Sequence, residues 1–200
     1  MKLQEIKNLV QGDIVVIFGR PFSGKSVLAL MLSRHFSNSH LILIDSNYTK
    51  EYFKINPNIR VRYIKLGRNV WEVFHQIVEA LREVPKDLES LVIIDSLTTL
   101  QSSVLGPRVS PYENLLYSRL VDSLMLRLRW LKPATSVVIC HEKLLSFESQ
   151  DLVPRMNLVV MRHVDKVIHL VEEGGKRKLE VKLARELTPD KLQEDYEVTE

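Results

Sequence analysis

The chain has 200 residues, 45% of them hydrophobic and 26% charged, with a net charge of +3 and a pI near 8.9; that length suits one α/β domain and is short for two ordinary ones. No apolar run approaches the roughly 18 residues of a membrane span, the opening residues 1–7 lack a signal-peptide pattern, and the single cysteine, Cys140, excludes an internal disulfide, so a cytoplasmic protein without membrane contact is expected. The mild positive charge permits nucleic-acid binding without arguing for it.

In chain order, short apolar runs alternate with helical patterns. Residues 14–18, 41–44, 61–64, 91–94 and 136–140 are β-branched or aliphatic runs with little polar alternation, the pattern of strands buried on both faces of a parallel sheet. Residues 26–36 read as a first helix. Asn69 caps a second, in which Val70, Val73, Phe74, Ile77, Val78 and Leu81 form one apolar stripe. A third covers 112–131, with Leu116, Leu120, Leu124, Leu128 and Leu131 on one face and Pro133 as its stop. Residues 141–160 look irregular. Residues 166–171 and 178–183 then form two strands around a Gly174-Gly175 turn, an antiparallel hairpin. This order predicts a three-layer α/β fold, a mainly parallel sheet between helices with a C-terminal β-hairpin, over residues 1–200.

The expected strand at 14–18 runs into Gly19-Arg20-Pro21-Phe22-Ser23-Gly24-Lys25-Ser26, which fits the P-loop pattern G-x-x-x-x-G-K-[ST] in its strand-to-helix context. Glycines let successive N–H groups turn inward onto phosphate oxygens, and the helix N-terminus adds positive charge. Lys25 is expected at the β- and γ-phosphates and Ser26 on Mg²⁺. The nucleotide-binding set is Gly19, Arg20, Pro21, Phe22, Ser23, Gly24, Lys25, Ser26 and Val27. Asp95, closing the run Leu91-Val92-Ile93-Ile94, fits the second acidic element, an aspartate at the tip of a strand beside the P-loop that shares the magnesium ion.

The string Ile94-Asp95-Ser96-Leu97-Thr98 resembles the corresponding segment of the RecA superfamily, most of all archaeal RadA- and RadB-type recombinase ATPases, with the KaiC group second. Further segments are similar in register: Gly12-Asp13-Ile14-Val15, Leu43-Ile44-Asp45-Ser46, the strand ending Cys140-His141-Glu142, Asp165-Lys166-Val167-Ile168-His169-Leu170, and Tyr196-Glu197-Val198-Thr199-Glu200. The resemblance implies an ATP- and Mg²⁺-binding core that contacts single-stranded DNA and forms homo- or hetero-oligomers with other RecA-family proteins. Three departures qualify it. Asn47 stands where the family has a water-activating glutamate, and asparagine cannot take up the proton, so slow or absent hydrolysis is expected. His141-Glu142 replaces the family's Asn-Gln sensor pair; Glu142 is repelled by phosphate unless protonated, bridged by Mg²⁺ or turned away, and is the alternative catalytic base beside Lys25. Residues 1–11 are too short for the RadA-type N-terminal domain, so filament formation by this chain alone is not expected.

By the same resemblance, DNA loops fall at 101–113 and 143–162. They offer Arg108 and Tyr112 in the first, and Lys143, Phe147, Arg155 and Arg162 in the second; cations meet phosphates and rings stack on bases. Glu148 and Asp151 oppose that role. Lys182 and Arg185 occupy the place from which the family presents a basic finger to a neighbour's γ-phosphate. Two functions follow from these readings: a recombinase paralogue assisting DNA repair or homologous recombination, or a RecA-fold regulatory or assembly subunit that holds ATP as a structural ligand without DNA. A small-molecule kinase is disfavoured because no arginine-rich lid segment appears.

Overall fold

The computed structural model describes residues 3–44, 54–66, 69–105, 110–144, 152–154, 161–173, 176–183 and 194–197. Asn47, Arg108, Arg155 and Arg185, together with Asp45, Phe147 and the Gly174-Gly175 turn, lie outside them. The elements run α1 (Leu3–Val10), β1 (Ile14–Gly19), α2 (Lys25–Ser33), β2 (Asn38–Ile44), β3 (Arg60–Ile64), α3 (Val70–Arg82), β4 (Ser90–Asp95), α4 (Leu97–Val104), α5 (Pro111–Trp130), β5 (Thr135–Leu144), β6 (Leu152–Pro154), β7 (Lys166–Glu173), β8 (Lys176–Leu183) and β9 (Glu194–Glu197).

The strands form one sheet in the order β3-β2-β4-β5-β1-β7-β8-β9. From β3 to β7 every neighbouring pair is parallel, and β7-β8 and β8-β9 are antiparallel. The protein is therefore α/β, with a mostly parallel sheet between helices. Side chains alternate across it. Val16, Phe18, Ile42, Ile94, Val138 and Val167 face α3 and α5. Val15, Ile17, Leu41, Ile93 and Val137 face Ile6 and Val10 of α1 and Leu28 and Leu32 of α2. Burial of both faces is why the β1 and β4 runs lack polar alternation.

Caps fix the helices on the second layer. Asn69 accepts from the Trp71 N–H at 3.0 Å, as expected for α3. Ser110 and Glu113 form a reciprocal capping box on α5. The bottom of the sheet is tied by charge: Asp165 accepts from the Ile14 N–H at 2.9 Å and pairs with Lys132 at 2.8 Å, while Lys166 pairs with Asp13 at 2.7 Å.

Several expectations need correction. β3 is not buried on both faces: Arg60, Arg62 and Tyr63 are exposed, because β3 is the outermost described strand beside β2. Residues 97–104, read partly as the first DNA loop, are helix α4, capped by Ser96. Residues 141–144 prolong β5, which pairs antiparallel with β6; the irregular reading of this stretch missed that ladder. The tip of β4 is separated from β1 by β5, yet Asp95 lies within electrostatic reach of Lys25.

Candidate nucleotide site

β1 ends at Gly19, whose backbone passes so near β7 that a Cβ there would lie 2.5 Å from the Leu170 carbonyl oxygen. Gly24 has φ 92°, a left-handed conformation that glycine adopts without strain, and is the N-cap of α2. No side chain caps that helix, so its first N–H groups point toward the loop without a side-chain acceptor. Phe22, at φ 65°, is fully exposed at the loop tip, whereas Ser23 is buried.

Lys25 is 5% exposed. Its ammonium donates to the carbonyl oxygens of Gly19 (3.1 Å) and Arg20 and to Ser23 Oγ (3.3 Å). Burial pulls its pKa below the ordinary lysine value, and the charges of Asp95, Glu142 and Cys140 oppose that pull. A buried ammonium beside a helix N-terminus is chemistry suited to an anion. Ser26 is half-buried in the first turn of α2 beside half-buried Val27, and Arg20 and Pro21 are exposed.

Asp95 ends β4 and is buried. Hydrogen bonds tie its surroundings together. The Ser96 side chain accepts from the Thr99 N–H at 3.1 Å, Tyr117 of α5 donates to the Leu97 carbonyl at 3.0 Å, and the His141 N–H of β5 donates to Thr98 Oγ1 at 2.8 Å. The last bond crosses from β5 to α4 and so fixes the β4 tip relative to the strand that carries Glu142. The Asp95–Ser96 peptide is cis. Among the described residues no group of three or more His, Cys, Asp or Glu side chains is placed to hold a metal on its own.

Glu142 lies at the loop. Its Oε1 accepts from Arg20 Nε at 3.2 Å, and its Oε2 lies 3.1 Å from His169 Nε2. The other ring nitrogen of His169, Nδ1, is 3.4 Å from Glu180 Oε2 on β8. The ring stacks on Phe18, centroids 4.2 Å apart and planes 5° from parallel. Sequence reasoning named Glu142 but missed His169 and Glu180. A signal was present: His169 is the one polar residue in the run Val167 to Val171, and folding the hairpin about Gly174-Gly175 sets 169 opposite 180, which is the observed register.

The expected DNA-contact residues are more dispersed. Tyr112 is exposed in the first turn of α5. Lys143 is exposed on β5. Arg162 is engaged, its guanidinium 3.0 Å from Asp122 of α5, and His163 Nε2 lies 2.8 Å from the same carboxylate. Lys182 is on β8 opposite Val167. No described helix is long and apolar enough to cross a membrane. Neither the models of known protein families nor the curated proteins compared with this chain match it.

Proposed function

We propose that this chain binds ATP with Mg²⁺ at the Gly19–Ser26 loop and acts as a RecA-type recombinase paralogue that assists DNA repair or recombination, with little hydrolysis of its own. The observation that carries the reading is the buried Lys25 ammonium, folded into a glycine-bounded turn at the start of α2 with Asp95 and Glu142 within electrostatic reach. In this reading the loop N–H groups and Lys25 bind the phosphates, and Ser26 and Asp95 hold the cation. Glu142, steadied by Arg20 and His169, orients water. A bound magnesium nucleotide would supply the phosphoanhydride, its cation offsetting part of the phosphate charge. Asn47 in place of a glutamate supports slow turnover.

The test is equilibrium titration with a fluorescent ATP analogue, with and without Mg²⁺, on the wild type and on Lys25→Ala and Asp95→Asn. Lys25→Ala should weaken binding about 10- to 100-fold, the scale of a lost charged hydrogen bond, and Asp95→Asn should reduce the Mg²⁺ dependence. Equal affinity for all three proteins would defeat the proposal.

A second reading, an ATP-holding regulatory or assembly subunit without DNA contact, is favoured by Arg162, whose charge is already matched by Asp122. Single-stranded DNA titrated at two salt concentrations, with and without ATP, separates the two. Recombinase-like function requires ATP-dependent affinity that falls steeply with salt.

A further inference from the structure

His40 of β2 and Arg60 of β3 are level with each other on neighbouring parallel strands. Ile42, Ile44 and Ile64 belong to the core under α3, and alternation along each strand puts His40, Arg60 and Arg62 on that same side. There, with Ala80 and Glu83 at the end of α3, they line a pocket of about 120 Å³. A cavity of about 150 Å³ takes up benzene, so the space suits a group of a few non-hydrogen atoms. His40 is 5% exposed, and its Nε2 has no hydrogen-bond partner among the described residues. A buried polar atom left in that state is costly, and an occupant of the pocket wall that accepts a hydrogen bond would relieve it.

The charges say which occupant. Arg60 and Arg62 are exposed, and Arg60 lies within electrostatic reach of His40. Arg62 pairs with Glu83, but both side chains are more than half exposed, so the pair is screened and readily exchanged. Glu83 and the C-terminal end of α3 oppose an anion; two guanidiniums stand against that one carboxylate. The pocket is remote from the nucleotide loop. By register His40, Val92, Ser136 and Ile14 form one row across the sheet. Ile14 stands five residues before Gly19, or about 16 Å at 3.3 Å per residue, and β4 and β5 lie between β2 and β1.

We propose that this pocket binds a terminal phosphate group, carried by inorganic phosphate or a small phosphomonoester. Arg60 and Arg62 donate to its oxygens from the open side, where paired guanidinium N–H groups match a tetrahedral oxyanion, and Arg62 gives up Glu83 to do so. His40, as its Nε2–H tautomer, donates to a further oxygen from the wall. Burial first and Arg60 second hold the imidazole below its ordinary pKa, with Glu83 opposing, so the ring is neutral near pH 7 and carries no charge to desolvate. A diester, substituted on two oxygens, leaves fewer free oxygens for three donors. The site is independent of the nucleotide reading.

NMR of the histidine ring nitrogens at pH 7 and constant ionic strength tests it, with His40 assigned through its backbone resonances. Titration with inorganic phosphate or phenyl phosphate should move the His40 signals saturably in the range of about 1–20 mM; the probe that saturates first identifies the free ion or the ester as the source. Phosphate held at the Gly19–Ser26 loop would move the His169 signals instead. Arg60→Ala and Arg62→Ala, both on exposed positions, should each weaken the His40 response about tenfold, the scale of a lost charged hydrogen bond. Glu83→Gln, which removes the competing carboxylate, should strengthen it. Lys86→Ala, which removes an exposed charge outside the pocket, should leave it unchanged. His40 signals that do not saturate with either probe, or that weaken as much in Lys86→Ala as in Arg60→Ala, overturn the proposal. Dimethyl phosphate binding as tightly as inorganic phosphate overturns the assignment to a terminal phosphate.

Discussion

Substituting Gly19 with alanine tests the geometry on which the site depends. The added Cβ would stand 2.5 Å from the Leu170 carbonyl oxygen and 3.2 Å from Ser23 Oγ. The serine hydroxyl can rotate, but the carbonyl belongs to β7, which is paired with β1 on one side and β8 on the other. Relief therefore requires the sheet to open by several tenths of an ångström beside a closely packed core. Overpacking that displaces backbone costs typically 1–3 kcal/mol and sometimes more; with no soft neighbour to yield, about 2–4 kcal/mol is expected, or roughly 5–15 °C in Tm for a chain of this size. Gly12→Ala is the control. Its φ is +80° and its Cβ would meet only the flexible Leu88 Cδ2, at 3.4 Å, and the Pro133 carbonyl oxygen at 3.6 Å, so only the left-handed backbone cost of about 1–2 kcal/mol applies. Urea unfolding of both variants at pH 7 reads the difference. If Gly19→Ala proves no more destabilising than Gly12→Ala, the close approach of β1 to β7 is wrong, and with it the shape of the loop.

Burial alone would raise the pKa of Asp165, but the Lys132 ammonium, the Ile14 N–H and the charge of Arg129 outweigh it and hold the carboxyl below its ordinary value. Its folded pKa is thus lower than its unfolded one, so its stabilisation is complete above about pH 4 and is lost as pH falls through the folded value. Asp165→Asn should be less stable than wild type in urea at pH 7, and the gap should narrow toward pH 3; a constant gap contradicts this. Cys140 is fully buried, which pushes its thiol up to about 12 against the lowering influence of Lys25, so a disulfide-exchange reagent should label it only at the rate of global unfolding. His169→Gln loses the Phe18 stack and the Glu142 contact and should cost about 1–3 kcal/mol in urea unfolding; a loss below about half of that would make the ring a bystander. Under the proposed function, Glu142→Gln should raise affinity for magnesium-free nucleotide more than for the magnesium complex, read in the same fluorescence titration, and equal gains would argue against it.

Most of the sheet was legible because its strands are buried on both faces, and a run such as Ile14-Val15-Val16-Ile17-Phe18 has few other uses. The strand order was not, because register and neighbour choice depend on contacts distant in sequence: nothing in Leu91-Val92-Ile93-Ile94 reveals that β5 separates it from β1. β3 misled the reading for a related reason. Val61 and Ile64 do pack on the core, yet Arg60, Arg62 and Tyr63 are exposed on a strand that, among the described residues, has a neighbour on one side only. Helix α1 escaped attention because it is only eight residues long and its apolar side, Leu3, Ile6 and Val10, gains its meaning only from packing beside α2. The spacing alone set Lys25 at the start of a helix and Asp95 at the end of a strand, as observed, whereas the contacts of His169 arise only when β7 pairs with β8 and its ring lies against Phe18.

The surroundings of Glu142 resolve a conflict that the sequence raises. Under the proposed function, a carboxylate beside the nucleotide loop is repelled by a polyanion unless cations stand near it. The Arg20 guanidinium contacts it and the Lys25 ammonium lies within electrostatic reach, while His169 holds its other oxygen through a hydrogen bond. These contacts are unequal. Arg20 is 81% exposed in its side chain, so its ion pair is screened and adds little; His169 is 7% exposed and packed against Phe18, so it decides where the carboxylate sits. That hierarchy leaves Arg20 able to exchange Glu142 for an incoming anion at small cost, while His169 keeps Glu142 in place at the rim. The same carboxylate that repels bare phosphate would then stand ready on the cation side of a magnesium complex, which is why the effect of Glu142→Gln should depend on magnesium.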